Sequence, residues 1–378
     1  MYNIQDHVEE RGAETLGQRA FDALDSMAMT QIVYMPFEGL LDKGESCTIA
    51  QAWAFLKARY PDSFSDIYQR KRYAFTGACA AAPRYRDWVI RDYVNLIDPE
   101  REMQFAAAVF DTDAGESHIA FRGTDLTLAG WKEDLNMSYM TVPSQREAVE
   151  YVDRVAARTS GALYLGGHSK GGNLSVYSGI YACPAAQERI RRVYCFDGPG
   201  LDAKTIKSDA YHGVSARIES YIPQSSVVGM LLHYHARYSI VRSLSLGLLQ
   251  HDTFPWQIKE GAFETLPEQD AGARATDEAL HEWLEQMDGE KRRFLVETLY
   301  TVIDAAQQET ITGIIEDWRD SAARMLAAAR ELDAETRKNV AHILGALFSA
   351  QATETLRSIL PHSLRQRLLK EGDEDAEA

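Results

Sequence analysis

Cysteine is scarce. The chain has four in 378 residues, Cys47, Cys79, Cys183 and Cys195, and none sits in a Cys-x-x-Cys pair or other metal-ligand spacing. That excludes a disulfide-stapled module and a zinc ribbon, and it predicts reduced thiols in a reducing compartment. No uncharged apolar run approaches the ~18 residues a membrane span needs. The first ten residues carry neither the basic nor the apolar stretch of a secretory signal, so the expected location is the cytoplasm. Positive charge is also in deficit: 40 Lys and Arg against 56 Asp and Glu leave a net −16. Such a field repels phosphate backbones, and without a basic cluster it removes nucleic acid from the expected partners. No internal repeat is visible. With 45% hydrophobic and 25% charged residues the chain is globular rather than disordered or collagen-like.

Three regions separate on pattern. Residues 1 to about 100 mix short helical stretches with aromatic-rich turns such as Tyr85–Tyr93. From about 101 to 260, short β-rich runs alternate with helix-length ones. Met103–Phe110 and Ser117–Phe121 flank the turn residues Asp111–Gly115 and predict a hairpin. Ala162–Leu165, Arg192–Phe196, Ala216–Ile222 and Tyr238–Arg242 predict further strands. Strands alternating with helices imply a mostly parallel sheet covered on both faces, an α/β class. Residues 261–378 read as helical: Ile311, Ile314, Ile315, Trp318, Ala322, Met325, Leu326, Ala329 and Leu332 recur at the 3.6-residue period. Shorter stripes run through Leu280–Met287 and Val340–Leu347, the latter after Asp333 as N-cap, and the acidic end from Glu371 reads as a solvated tail. The expected division is an α/β domain over 1–260 with an N-terminal helical extension, then a C-terminal helical region over 261–378.

The segment Leu163–Ser175 carries the chemistry. Within it Gly167-His168-Ser169-Lys170-Gly171 satisfies G-x-S-x-G between an apolar strand and a helix start. That context puts a serine nucleophile on a sharp strand-to-helix turn. The helix N-terminus beneath it offers unpaired N–H groups and a positive dipole end, so the Lys170 N–H becomes an oxyanion donor while the Lys170 side chain is expected in solvent. A glycine-rich turn needed only for close packing is the plainer alternative.

Upstream stands Ile119-Ala-Phe-Arg-Gly-Thr-Asp125, then Gly130-Trp-Lys-Glu-Asp-Leu135. Together with the nucleophile turn, these residues resemble the lipase class 3 family of fungal-type lipases. They resemble most an uncharacterised bacterial family of lipase-like α/β-hydrolases with Gly-His-Ser-Lys-Gly-Gly-Asn, Asp-Gly-Pro-Gly and Gln-His-Asp segments. The resemblance covers about 103 to 256. It implies an α/β-hydrolase fold, Thr124 as the second oxyanion donor, and Asp134 as a buried aspartate fixing that loop. An Arg122–Asp134 ion pair is the structural reading of the same two residues.

Chain order in this fold is nucleophile, acid, histidine. His212, His233, His235 and His251 follow Ser169; His251 lies shortly after the last strand-like run, where the resemblance implies the general base. His233 and His235 lack a third metal ligand. The acid departs from the lipase pattern, because Ser225 stands where those enzymes carry aspartate. Asp197, in Phe196-Asp-Gly-Pro-Gly200, ends the preceding strand on the same sheet edge; Asp252, or no acid at all, are the alternatives. The expected activity is hydrolysis of a small-molecule carboxylic ester or lipid through an acyl-enzyme on Ser169, without cofactor or metal. The competing expectation is an inactive lipase-like fold that binds or assembles through its C-terminal helices, with a homo-oligomer or partner protein left open.

Overall fold

A computed structural model of the chain describes residues 2–42, 44–64, 66–98, 100–124, 133, 136–137, 140–226, 238–245, 247–269, 289–308, 317–334, 336–337 and 340. The chain begins with α1 (Ile4–Arg11), α2 (Ala23–Ile32), β1 (Ser46–Thr48), α3 (Ile49–Arg59) and α4 (Ile67–Ala81). The strands β2 (Val89–Asp98), β3 (Met103–Asp111) and β4 (Ser117–Phe121) follow. Then come α5 (Pro143–Arg158), β5 (Leu163–His168), α6 (Lys170–Tyr181), β6 (Ile190–Phe196), β7 (Ile218–Pro223) and β8 (Tyr238–Val241). Short strands β9 (Ile258–Lys259), β10 (Ala262–Phe263) and β11 (Thr265–Leu266) follow, then α7 (Gly289–Asp304) and α8 (Trp318–Arg330); shorter helical turns lie between β6 and β9 and after α6.

The main sheet has nine strands in the order β1-β2-β3-β4-β5-β6-β7-β8-β11. The run from β4 to β8 is parallel, while β1, β2, β3 and the closing β11 add antiparallel edges. Its last strand lies just past the expected boundary at 260. The expected hairpin is present: β3 pairs with β4, and Gly115 takes a φ of +74° in the connecting turn. Together with the strand-to-helix serine turn this is an α/β-hydrolase fold.

Tyr85–Tyr93, expected as turn, instead leads into β2. The reason is a break in alternation: Asp92 takes a φ of +50° and the register with β3 shifts between Arg91 and Val94. A bulge shifts the side-chain period by one residue, so a period-2 pattern does not show.

Each face of the sheet has its own core. On one, α5 and α6 pack Val152, Val155, Leu174, Val176 and Ile180 against Val109, Ile119, Leu163, Leu165 and Val193. On the other, α1 to α4 pack Leu24, Met27, Ile32, Leu56 and Phe75 against Phe110, Ala120, Tyr194 and Phe196. The helices expected as an N-terminal extension are therefore one of the two covering layers, and α2 is buried from Leu24 to Ile32. A helix buried on all sides shows no amphipathic stripe.

In the C-terminal region, Met325 of α8 is buried but Leu326 is 60% exposed, so the expected stripe is only partly covered. Asp333 accepts from the Thr336 N–H as a cap would. Residues 311–316, the stripes over 280–287 and 341–347, and the acidic tail lie outside the described residues. Among the described residues, no helix is long and apolar enough to cross a membrane.

Candidate active site

Ser169 stands between β5 and α6 with φ +59° and ψ −132°, a backbone conformation that costs an L-residue about 1–3 kcal/mol. The surroundings hold it there. Its N–H donates to the Phe196 carbonyl at the end of β6, and its own carbonyl receives the Gly172 N–H at 2.8 Å. A Cβ at Gly167 would lie 2.1 Å from the Gly171 backbone, and one at Gly171 would lie 2.2 Å from the Phe121 carbonyl oxygen. The two motif glycines are thus required by the contact of α6 with the ends of β5 and β4.

The Lys170 side chain, expected in solvent, is buried. Its ammonium donates to Glu133 Oε2 and to the Gln104 carbonyl, both at 2.8 Å. Glu133 also accepts from the Gln104 and Ser144 N–H groups at 3.1 Å. The charge can be held inward because a buried ammonium must be paired and hydrogen-bonded, and the Glu133 carboxylate together with the Gln104 carbonyl does both. Residue 170 thereby joins the first turn of α6 to β3 and to the start of α5. Asn173, one turn on, donates to the Pro199 and Gly200 carbonyls at 3.2 and 2.7 Å and receives the Gln145 amide at 2.8 Å. This fixes the Asp-Gly-Pro-Gly turn against α6.

At that turn Asp197 is buried, with φ +48° and its N–H on the Tyr221 carbonyl of β7. Asp197 Oδ2 lies 2.6 Å from His251 Nδ1. The other carboxylate oxygen accepts from the Ser226 hydroxyl, a contact the sequence reading missed. Ser225, which stands where lipases carry aspartate, instead donates its N–H to Gln250 Oε1 at 2.9 Å, one residue before His251. The ends of β6 and β7 are neighbours about 4.8 Å apart, so a carboxylate on either reaches the same histidine. Asp252 points away and pairs with Lys71 at 2.6 Å.

His251 ends a 3-10 turn, Gly247–His251, and its ring lies against that of His168, centroids 4.5 Å apart. With Nδ1 on the carboxylate, Nε2 is the nitrogen left for proton transfer. His168 is buried; burial first, then the charges of His251 and Arg72, keep its pKa well below the usual value, so it is neutral. The loop after β4 passes over the same point: a Cβ on Gly123 would lie 2.5 Å from the His168 carbonyl and 3.0 Å from Ser169 Cβ. Thr124, next in the chain, is half-buried.

Of the other expected residues, Arg122 is buried and donates to Asn95 Oδ1 at 3.0 Å. Asp134, His233 and His235 lie outside the described residues, and His212 is exposed on the helix Asp209–Ser215.

Residues 79–301 match the Mbeg1-like family, more than half of the 378 residues. The chain belongs to the Mbeg1-like family. The Mbeg1-like segment contains Thr124, Ser169, Lys170, Asp197, Ser226 and His251, and it leaves α1 to α3 outside. None of the curated proteins matches the sequence. Among solved structures, a crystal structure of M37 lipase resembles the chain with a TM-score of 0.35 and 13% identity, over 64% of this chain and 84% of that one.

Proposed function

We propose that this chain is a serine hydrolase that cleaves carboxylic esters through an acyl-enzyme on Ser169. The observation that carries the reading is the 2.6 Å contact between Asp197 and His251, with the His251 ring seated on the residue beside a strained Ser169. His251 Nε2 takes the Ser169 hydroxyl proton as the oxygen attacks the ester carbonyl. The oxyanion is met by the N–H groups of Thr124 and Lys170, the latter unpaired by position at the first turn of a helix. The tetrahedral intermediate collapses, and His251 passes its proton to the departing alcohol. Water, deprotonated by the same ring, then attacks the acyl carbon and frees the acid and Ser169. Asp197 holds the tautomer and stabilises the imidazolium. The substrate is a carboxylic ester, of lipid or simpler acyl-ester type. The inactive-fold alternative rested on Ser225 standing at the acid position, and Asp197 supplies the carboxylate one strand over.

A fluorophosphonate probe should label Ser169 in the native protein. Asp197→Ala should lower turnover of p-nitrophenyl esters by about 10⁴, with the melting temperature retained. Comparing acetate, butyrate and octanoate esters would size the acyl pocket. Absence of label at Ser169 would end the hydrolase reading.

A further inference from the structure

His168 is the variable position of the G-x-S-x-G turn, and ester cleavage as described above gives its side chain nothing to do. Yet it is buried and paired on both ring nitrogens. Nε2 lies 2.7 Å from the His251 carbonyl oxygen. A carbonyl only accepts, so Nε2 carries the hydrogen, and in a neutral ring Nδ1 is then an acceptor. The group facing Nδ1 is the Tyr34 hydroxyl, at a long 3.5 Å. That hydroxyl in turn receives the Gly123 N–H at 3.0 Å.

The hydrogens therefore run one way. Gly123 donates to Tyr34, Tyr34 to His168, and His168 to the backbone of His251. The first link is the loop that presents the Thr124 N–H, and the last is the turn that presents the general base. Two loops that must meet the same reacting carbonyl are tied to one another through the residue preceding the nucleophile.

Tyr34 lies just past α2, outside the family segment, and it too is fixed. The Arg72 guanidinium sits over its ring, 3.7 Å from the centroid, and Arg72 Nε bonds Gln31 at 3.2 Å. His251 is consequently held at two points, its backbone by His168 and its ring by Asp197.

We propose that His168 and Tyr34 are positioning residues that keep the oxyanion loop and the histidine turn in mutual register. The inference rests on the hydrolase reading of Ser169. It assigns a task in the reaction to the N-terminal helical layer, which otherwise only covers the sheet.

The test compares wild type with Tyr34→Phe, His168→Leu and His168→Gln, using the rate of fluorophosphonate labelling at Ser169 and the kcat and KM for p-nitrophenyl acetate. Misplacing a reacting group by about 1 Å costs on the order of 100-fold. His168→Leu should therefore lose about that much in kcat and in labelling rate, with KM within about twofold. Tyr34→Phe, which removes only the relay hydroxyl, should lose about tenfold. His168→Gln keeps an N–H at the reach of Nε2 and should recover most of the loss. Because both residues act through one chain of bonds, Tyr34→Phe should add little to His168→Leu in the double variant.

The proposal is overturned if Tyr34→Phe reacts at the wild-type rate, or if Gln serves no better than Leu, which would reduce His168 to packing. It is also overturned if the two losses multiply. Should His168→Leu fail to fold, Tyr34→Phe and His168→Gln carry the test. If wild type itself takes no label, the hydrolase reading falls first; if wild type labels and Tyr34→Phe is unaffected, this inference falls alone.

Discussion

The two layers covering the sheet are built on different chemistry. The α5–α6 face is mainly aliphatic, with Val, Leu and Ile of the helices meeting Val, Leu and Ile of the strands. A buried ion pair, Lys170–Glu133, sits at the edge where the serine turn begins. The N-terminal face buries charge in its middle. Asp25, on α2, receives Arg84 through two bonds of 2.7 and 2.6 Å, the Tyr85 hydroxyl at 2.8 Å and Arg19 at 3.1 Å. Two histidines without a full set of partners, His7 and His118, lie in the same layer. An aliphatic layer tolerates graded change in volume. A layer held by one buried carboxylate depends on that carboxylate, because removing a partner leaves its ion uncompensated.

The sharpest way to break this comparison is Asp25→Ala, which strands Arg84 without a counter-charge. A loss of about 3–5 kcal/mol is expected, read by urea unfolding, against about 1 kcal/mol for Ile180→Val on the aliphatic face. Equal losses would show the two layers to be energetically alike.

Acid should distinguish the layers next. Burial above all, helped by the charge of Arg19, lowers the pKa of His7 from 6.5 to about 4. Burial takes His118 to about 3 against the opposing pull of Asp25. Above pH 6.5 each ring is neutral whether the chain is folded or not. As pH falls from 6.5 towards 4, the unfolded chain takes up a proton at residue 7 that the folded chain refuses, so stability drops. For His7 the drop is about 3 kcal/mol across that window. His7→Leu should remove this part of the slope between pH 6.5 and 4 while changing little at pH 8. An unchanged slope would exclude His7 as a source of acid sensitivity.

The smallest effect is expected where the N-terminal layer touches the histidine turn from outside. Lys71, on α4, pairs with Asp252, and Phe75 meets Phe254 edge-on at 5.5 Å. The lysine side chain is 39% exposed, so Lys71→Ala should cost less than about 1 kcal/mol. It should leave the labelling rate of Ser169 within about twofold, since His168 and Asp197 hold His251 without it. A large loss of labelling would move the hold on His251 from the relay to α4.

Much of the sheet was legible because its strands obey short-range rules. Leu163 and Leu165 alternate with a turn beyond them, Asp111–Gly115 is turn chemistry, and the parallel order follows from strands separated by helices. The serine turn was legible because its glycine spacing is a short-range pattern, Gly167 meeting the Gly171 backbone four residues on. Residues 85–98 were not, since a bulge at Asp92 erased the alternation that marks a strand. The Lys170 side chain was misjudged for a different reason. Nothing within ten residues of it announces Glu133, and only the tertiary structure brings that carboxylate to the Lys170 ammonium. Ser226 stood beside Ser225 in plain view, but its role depends on an aspartate from another strand. Tyr34 carried no signal at all.

From the order of its residues alone, this chain determines a strand, a strained serine turn and a helix, with a histidine eighty-two positions downstream of the serine. Backbone geometry and hydrogen-bonding needs of a few neighbouring residues are enough to require that much. Which carboxylate meets His251, where the lysine charge goes, and that helices from the first hundred residues reach the serine turn were decided by the tertiary structure. Those contacts join residues from 37 to 134 positions apart, and their geometry exists only once the strands have taken their order in the sheet.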